Sequence, residues 1–481
     1  MHFFLEWILE NSFYINIILA IIIVFFQRKD PSSVWAWLLL LYFIPILGFI
    51  LYLIIGYDYR KEKRFRSKEI EDQLHAAIEI QESRIRNRKI KISEGYEAYD
   101  DLVLYNLKTN DAIYTNHNQI TIFTDGTALF EDIVNEILGA KKYIHIQSYI
   151  IRDGQLLKHL LPILKQKVKE GVSVRLFFDG IGGRAIRKQT LRTLSDAGIS
   201  VGVFFPALFG KLHLRMNYRN HRKIIVIDGI CGYVGGFNIG DEYLGLNPKF
   251  GYWRDTHLKL SGEAVFDLQL RFAMDWHYAT GENLFRQQQY FEIFKHQDGK
   301  SGVQIISSGP DSKYEEIKTN ILQLIHKAKQ YIYIQTPYFI PDKTVLHALT
   351  TAALSGVDVR IMIPAKPDHP FVFWVTHSYL GEILEAGGKI FCYENGFLHA
   401  KGIFVDGIVC SYGTANMDYR SFALNFEINA TIYDRNIVHE FETIFSNDLN
   451  ACHELTLAAY RKRSISTRIK EQISRLLAPL M

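Results

Sequence analysis

Two stretches of this chain repeat one polar spacing. In RNHRKIIVIDGICGYVGGFN (219–238) and FLHAKGIFVDGIVCSYGTAN (397–416), a His is followed two residues on by Lys, seven and eight on by Asp-Gly, and seventeen on by Asn. The chemistry that uses two of each is phosphodiester exchange. One imidazole must be neutral to attack phosphorus, and the other must be protonated to supply the leaving oxygen. Histidine, with an ordinary pKa of about 6.5, holds both states near neutrality. His221 and His399 supply the pair. Lys223 and Lys401 would offset charge on the non-bridging oxygens, and Asn238 and Asn416 would donate amide hydrogens to them. No metal or other cofactor is needed for this, and none of the four cysteines forms a CxxC or a Cys/His cluster with zinc spacing.

A nucleophilic imidazole needs its other nitrogen held by an acceptor. Two carboxylates stand in matching places shortly after the motifs: Asp255 in YWRDTHLKL and Glu427 in NFEINATI. Exposed strand carboxylates are the competing reading. Asp228 and Asp406, each followed by Gly, suit a turn after a strand. Gly235-Gly236 takes a backbone role, because no Lys-Ser/Thr follows it. His145, His257 and His377 read as satisfied or surface residues.

The elements that must position these residues are themselves repeated. AKKYIHIQSYI (140–150) matches AKQYIYIQTPYF (328–339), EGVSVRLFFDG (170–180) matches SGVDVRIMIPA (355–365), and LSDAGISV (194–201) matches LEAGGKIF (384–391). Each half reads helix, strand, helix, strand, helix, short strand, then the His motif. β-Branched and aromatic residues mark the strands, and the helix GQLLKHLLPILKQKVKEG stops at Gly171. Alternation of this kind predicts an α/β sandwich in each half. The core strands KIIVID and KGIFVD start just after the histidines, so each His and Lys would sit at a strand entrance facing a cleft. One site would then lie between two pseudo-symmetric halves, 116–298 and 299–481, joined through KHQDGKSGV (295–303).

The 481 residues carry a net charge of +4, too small to imply nucleic acid. Residues 34–57 are uncharged and long enough for a membrane helix, which needs roughly 20 apolar residues. Residues 13–26 form a shorter apolar run that borrows from 7–12. Together they predict a two-helix transmembrane hairpin over 1–58. A cleaved signal peptide fits poorly, since there is no basic start and no cleavage-site pattern. RKEKRFRSK (60–68) holds six basic residues against one Glu, while the loop between the spans holds only Arg28 and Lys29. The basic side stays inside, so the catalytic part is expected in the cytoplasm and the chain in the plasma membrane as a multi-pass protein. Residues 59–115 read as a basic connector, which would rest on anionic headgroups or simply be solvated. At the other end, YRKRSISTRIKEQISRLLAPL puts Ile465, Ile469, Ile473, Leu476 and Leu480 near one face, with its basic residues largely elsewhere. That pattern suits a basic interfacial helix and, equally, a helix packed on the catalytic domain.

The HxK(x4)D pair followed by Asn resembles the motifs of the phospholipase D superfamily. NHRKIIVIDG…GYVGGFNIGDEYLG, WRDTHLKLSGEAV, QTPYFIPD, GFLHAKGIFVDG, NMDYRSFALNFEIN and the N-terminal DPSSVWAWLLLLYFIPILGFILYLIIG are similar, more narrowly, to the bacterial cardiolipin synthases. The resemblance runs from about residue 13 to the LLAPL end. It implies that two phosphatidylglycerols are joined into cardiolipin with release of glycerol, needing neither nucleotide nor metal. It implies that His221 is the nucleophile, forming a phosphatidyl-histidine, and that His399 is the acid and then the base. It carries Asp228 and Asp406 with the catalytic set as the third motif residues. It also implies that each His is held by the opposite half's carboxylate, His221 by Glu427 and His399 by Asp255. The first half has about eleven more residues before its His, and PALFGKLHLRMNYRN there would shape a lipid or headgroup pocket. A phospholipase D-type hydrolase, a superfamily nuclease and a non-catalytic membrane scaffold are the alternatives. Intact His, Lys and Asn in both halves argue against the scaffold. Expected partners are phosphatidylglycerol and anionic lipids, with no nucleic acid.

Overall fold

The structure, a computed structural model, describes residues 95–206, 218–296 and 298–477 without a break. Before them it describes residues 14, 16–21, 31–44, 46, 48 and 52. Of the expected hairpin, the helix Pro31–Phe43 is described. Residues 45, 47, 49–51 and 53–57 of the longer expected span, half of 13–26, the basic run 60–68 and residues 207–217 of the expected headgroup pocket lie outside the described residues. Among the described residues no helix is long and apolar enough to cross a membrane.

Sixteen of the described strands join in one sheet, fifteen in one series and Arg219–Asn220 paired off it with Asn425–Tyr433. At its centre Thr115–Phe123 pairs antiparallel with Ser301–Ser308. Outward from Thr115–Phe123 come His257–Gly262, Cys231–Gly235, Ile224–Ile227, Tyr143–Ser148, Ser173–Asp179 and Ser200–Phe204. Outward from Ser301–Ser308 come Asn425–Tyr433, Val409–Gly413, Gly402–Val405, Tyr331–Gln335, Asp358–Pro364 and Lys389–Tyr393, with Cys452–Glu454 on the edge. The two series correspond strand for strand, as a duplicated sequence requires. In each half the outer three of these matched strands are parallel and are linked by helices, Gln155–Lys169 and Lys188–Asp196 in one half, Lys343–Leu354 and Pro370–Glu385 in the other. Strands covered by helices on both faces are buried along their whole length, and Tyr143–Ser148 is buried at every position, its His145 and Gln147 being satisfied by hydrogen bonds.

The halves share a core. One apolar cluster is built from the first half, around Leu129, Ile146, Leu157 and Leu176, with Phe397 of the second half joining it. Another gathers second-half residues such as Ile321, Ile334 and Ile361. The third runs across the central pair, putting Leu260 and Phe272 of the first half with Ile305, Ile428 and Phe441 of the second. Residues 95–114, within the stretch expected as a connector, carry the helix Asp100–Asn110. It buries Leu102, Val103 and Leu107 in the second-half cluster. All four cysteines are free thiols, three of them buried.

Candidate active site

Two very short strands build the site. Arg219–Asn220, just before His221, pairs parallel with Asn425–Phe426 of the other half. Phe397–Leu398, just before His399, pairs parallel with Trp253–Arg254. The His221 N–H donates to Phe426 O at 2.9 Å, and the His399 N–H donates to Arg254 O at 2.7 Å. Each histidine is thereby fastened to the residue that precedes the opposite half's carboxylate.

The side chains follow from that placement. His221 Nδ1 lies 2.9 and 3.0 Å from the two oxygens of Glu427. His399 Nδ1 lies 2.5 Å from Asp255 Oδ2. An ionised carboxylate only accepts, so Nδ1 carries the proton in each ring and Nε2 is left for chemistry. The carboxylates are themselves held. Glu427 accepts from Thr414 Oγ1 at 2.5 Å, Ser421 Oγ at 2.9 Å and Asn425 Nδ2 at 3.2 Å. Asp255 accepts from the Thr256 N–H at 2.7 Å and from Trp253 Nε1 at 3.4 Å. Gly236 makes room for it, since a Cβ there would come within 1.9 Å of Asp255 Oδ1. The matching position in the second half is Thr414, whose hydroxyl serves Glu427 instead.

Both lysines are almost fully buried. Lys223 Nζ donates to His221 O at 2.7 Å. Lys401 Nζ donates to His399 O and lies 2.8 Å from His399 Nδ1. Burial lowers Lys223 to about 7, opposed by Glu427, and lowers Lys401 to about 8, opposed by Asp255. Burial also lowers both imidazoles. His221 is held below its ordinary value despite Glu427, and His399 falls to about 4, with Lys401 adding to the effect. Asp255 is buried, which opposes its ionisation, yet Lys401 and His399 hold it at about 2. The site thus keeps two neutral imidazoles beside two lysines whose charged form burial disfavours. A phosphodiester anion entering there would restore the lysines' charge and favour a proton on an imidazole.

The asparagines are not equivalent. Asn238 Oδ1 accepts from the Ile150 N–H at 3.1 Å, and its Nδ2 donates to Tyr243 OH at 2.8 Å. Asn416 is buried with Oδ1 unpartnered among the described residues. Asp418, which caps the next helix through the Ser421 N–H at 2.7 Å, is pushed by burial up to about 6.

Asp228 and Asp406 do not join the histidines, which corrects their inclusion in the catalytic set. Asp228 accepts from the N–H groups of Lys141, Lys142 and Tyr143 at 2.6–2.8 Å. Asp406 accepts from those of Lys329, Gln330 and Tyr331 at 2.7–2.9 Å. Both residues have φ of 53°, in the left-handed turn conformation before Gly. Each lies at the far end of the strand that starts at the lysine, roughly 15 Å of extended chain away. Their role is to tie the strand end to its neighbour.

Several residues of the site carried no signal strong enough to single out in the sequence. The Tyr149 ring meets His221 at 5.0 Å between centroids, and Trp253 meets His399 at 5.0 Å. Tyr149 does sit in a repeated string, QSY against QTPY, which is the signal that could have found it. Thr414 and Ser421 had none. His145 is satisfied by Gln269 Oε1 at 2.9 Å, whereas both ring nitrogens of buried His257 lack a partner among the described residues.

Known proteins share this arrangement of sequence. The family described as "Cardiolipin synthase, PLD-like domain" matches residues 133–255 and 321–449. The family described as "Phospholipase D-nuclease N-terminal" matches residues 15–56. The chain is 47% identical to a cardiolipin synthase of Oceanobacillus iheyensis over 98% of its own length and 99% of the relative's. It is 47% identical to the major cardiolipin synthase of Bacillus subtilis, over the same shares. The fold is also that of a phosphatidylserine synthase of Haemophilus influenzae, with a TM-score of 0.61 at 18% identity, over 78% of this chain and 95% of that one.

Proposed function

This chain belongs to the cardiolipin synthases of the phospholipase D superfamily and acts as a phosphatidyltransferase on phosphatidylglycerol, and from that premise we propose how its residues divide the work. His221, neutral and with Nδ1–H on Glu427, attacks phosphorus of the first phosphatidylglycerol through Nε2. The bond from phosphorus to the headgroup glycerol breaks, and His399 gives that oxygen its proton. Glycerol leaves, and a phosphatidyl-histidine remains. His399, now neutral, takes the proton of a headgroup hydroxyl on the second phosphatidylglycerol. That oxygen attacks phosphorus, the P–N bond breaks, and cardiolipin and free His221 result. Lys223, Lys401 and the spare amide hydrogens of Asn238 and Asn416 face the non-bridging oxygens. One phosphodiester replaces another, so no external energy source is required.

The observation that supports a two-imidazole exchange is the crossed pairing of His221 with Glu427 and His399 with Asp255, while His221 takes the nucleophile's part by the resemblance to the family. It gives two equally oriented imidazoles, each with Nε2 available. As a cardiolipin synthase the protein is membrane-associated. We assign the two spans to 13–26 and 34–57, with the catalytic body on the cytoplasmic side, from the uncharged run and the basic residues that follow it. The test is purified protein in phosphatidylglycerol vesicles with EDTA and no nucleotide, products resolved by mass spectrometry. Cardiolipin and glycerol in equal amounts, absent in His221→Ala and His399→Ala, are expected. Phosphatidic acid without cardiolipin would make water the acceptor and overturn the transferase.

A further inference from the structure

The helix Ile465–Leu477 is amphipathic, and it lies on the body the wrong way round for a helix that belongs to a core. Ile465, Ile469, Ile473 and Leu476 follow the 3.6-residue repeat along one face. They are 75%, 53%, 56% and 77% exposed. The opposite face is polar and buried, with Glu471 and Ser474 each only 2% exposed. That inward face is fixed by ion pairs and by cations over rings. Glu471 meets Arg463 at 3.0 Å, and Arg475 meets Glu382 at 2.5 Å while its Nη1 donates to Ser378 O at 3.1 Å. Arg475 lies 4.2 Å from the Tyr379 ring, and at the margin of this face the exposed Lys470 lies 5.2 Å from the Trp374 ring. Packing against the catalytic body and an outward apolar stripe are therefore not alternatives here. The body holds the polar face and leaves the stripe free.

We propose that this stripe docks on an anionic bilayer, a proposal that rests on the lipid-transferring function above. Charge selects the occupant. Arg468 and Lys470 fall on either side of the stripe, and Arg461 and Lys462 are exposed just before it. The helix's one acid, Glu471, is turned inward on Arg463. An apolar wedge flanked by cations lies in the plane of a membrane surface, its side chains reaching the headgroup–acyl boundary and its cations the lipid phosphates. Trp374 under Lys470 adds an aromatic ring at the same level. The supporting helix Pro370–Glu385 begins next to the site. Asp368, two residues before it, accepts from Tyr338 OH and is among the charges acting on Lys401. Docking would therefore set the second-half side of the cleft against the surface that holds the substrate.

The test uses the full chain with Ile473→Cys labelled by an environment-sensitive fluorophore, in a Cys452→Ser background, since the other three cysteines are buried. It is placed in vesicles of neutral lipid alone and of neutral lipid with phosphatidylglycerol, with brominated acyl chains as quenchers. About twofold or greater quenching is expected in the phosphatidylglycerol vesicles, weakened by salt and by Arg468→Glu with Lys470→Glu. Equal quenching with and without the anionic lipid would overturn the role of charge. A label dry in detergent and vesicles alike, yet unquenched, would mean that the N-terminal segment or a second copy covers the stripe, and would overturn docking. Cardiolipin formation in mixed micelles is measured alongside. Its absence with quenching intact would sink the proposed reaction and leave the docking surface standing.

Discussion

At the scale of single residues, the pairing of each imidazole with a carboxylate makes a directional claim about pH. Burial lowers His221 and Glu427 opposes it. His221 must be neutral to attack, so activity is lost as pH falls through its folded pKa. Because that value lies below the ordinary 6.5, the acid limb of kcat/KM should lie below 6.5. Glu427→Gln removes the carboxylate that raises His221, so the limb should move to lower pH. The rate should also fall about 100-fold or more, because the amide no longer enforces the tautomer or stabilises the imidazolium. A pH profile of the variant on phosphatidylglycerol micelles checks this. A limb that stays in place would show that another group titrates there. The types of these residues were legible in the sequence, because a doubled His-x-Lys-Asp-Gly-Asn spacing has few other uses. What each one touches was not. Nothing in the string NMDYRS marks Ser421 as a donor to Glu427, and nothing in GGFNIG and GTANMD separates Asn238, tied to Tyr243, from Asn416 with an unpartnered oxygen.

At the scale of elements, the matched strands and helices could be read from β-branched runs and glycine stops, since each is decided by its own residues. The pieces that make the site are of another kind. Arg219–Asn220 and Phe397–Leu398 are too short to show a period, and their partners lie in the other half of the chain. The helix Asp100–Asn110 is similar: its fate depends on groups some 200 residues away. Gln304 on the central strand donates to Val103 O at 3.1 Å and Ala112 O at 2.8 Å, and accepts from Asn106 at 3.1 Å and Tyr433 OH at 2.8 Å. Asn106 also donates to Asn320 at 3.0 Å. Gln304→Leu would remove four buried hydrogen bonds at once, those with Val103 O, Ala112 O, Asn106 and Tyr433 OH. A loss of about 2–5 kcal/mol is expected, read as a thermal midpoint several degrees lower in detergent. An unchanged midpoint would mean that the helix is held by its apolar face alone.

At the scale of the whole molecule, duplication has been turned into dependence. A repeat normally gives two self-sufficient copies, but here each copy holds one imidazole and the carboxylate of the other. The sheet runs unbroken through the central pair, and one apolar cluster takes side chains from both halves. The crossed hydrogen bonds are therefore made within a single chain, with a shared core behind them that fixes their register. This separates two ways of completing the site. If one chain supplies both histidines, His221→Ala and His399→Ala proteins reconstituted together in the same vesicles cannot help one another. Every site then lacks either its nucleophile or its acid, and cardiolipin formation should stay at the level of each variant alone. If the halves were exchanged between chains, a mixture would contain sites with His221 from one protein and His399 from the other. Activity would then return to about a quarter of the unmodified level, the share set by random pairing of exchanged halves. Recovery of that size would disprove the single-chain site, and its absence is what the continuous sheet requires.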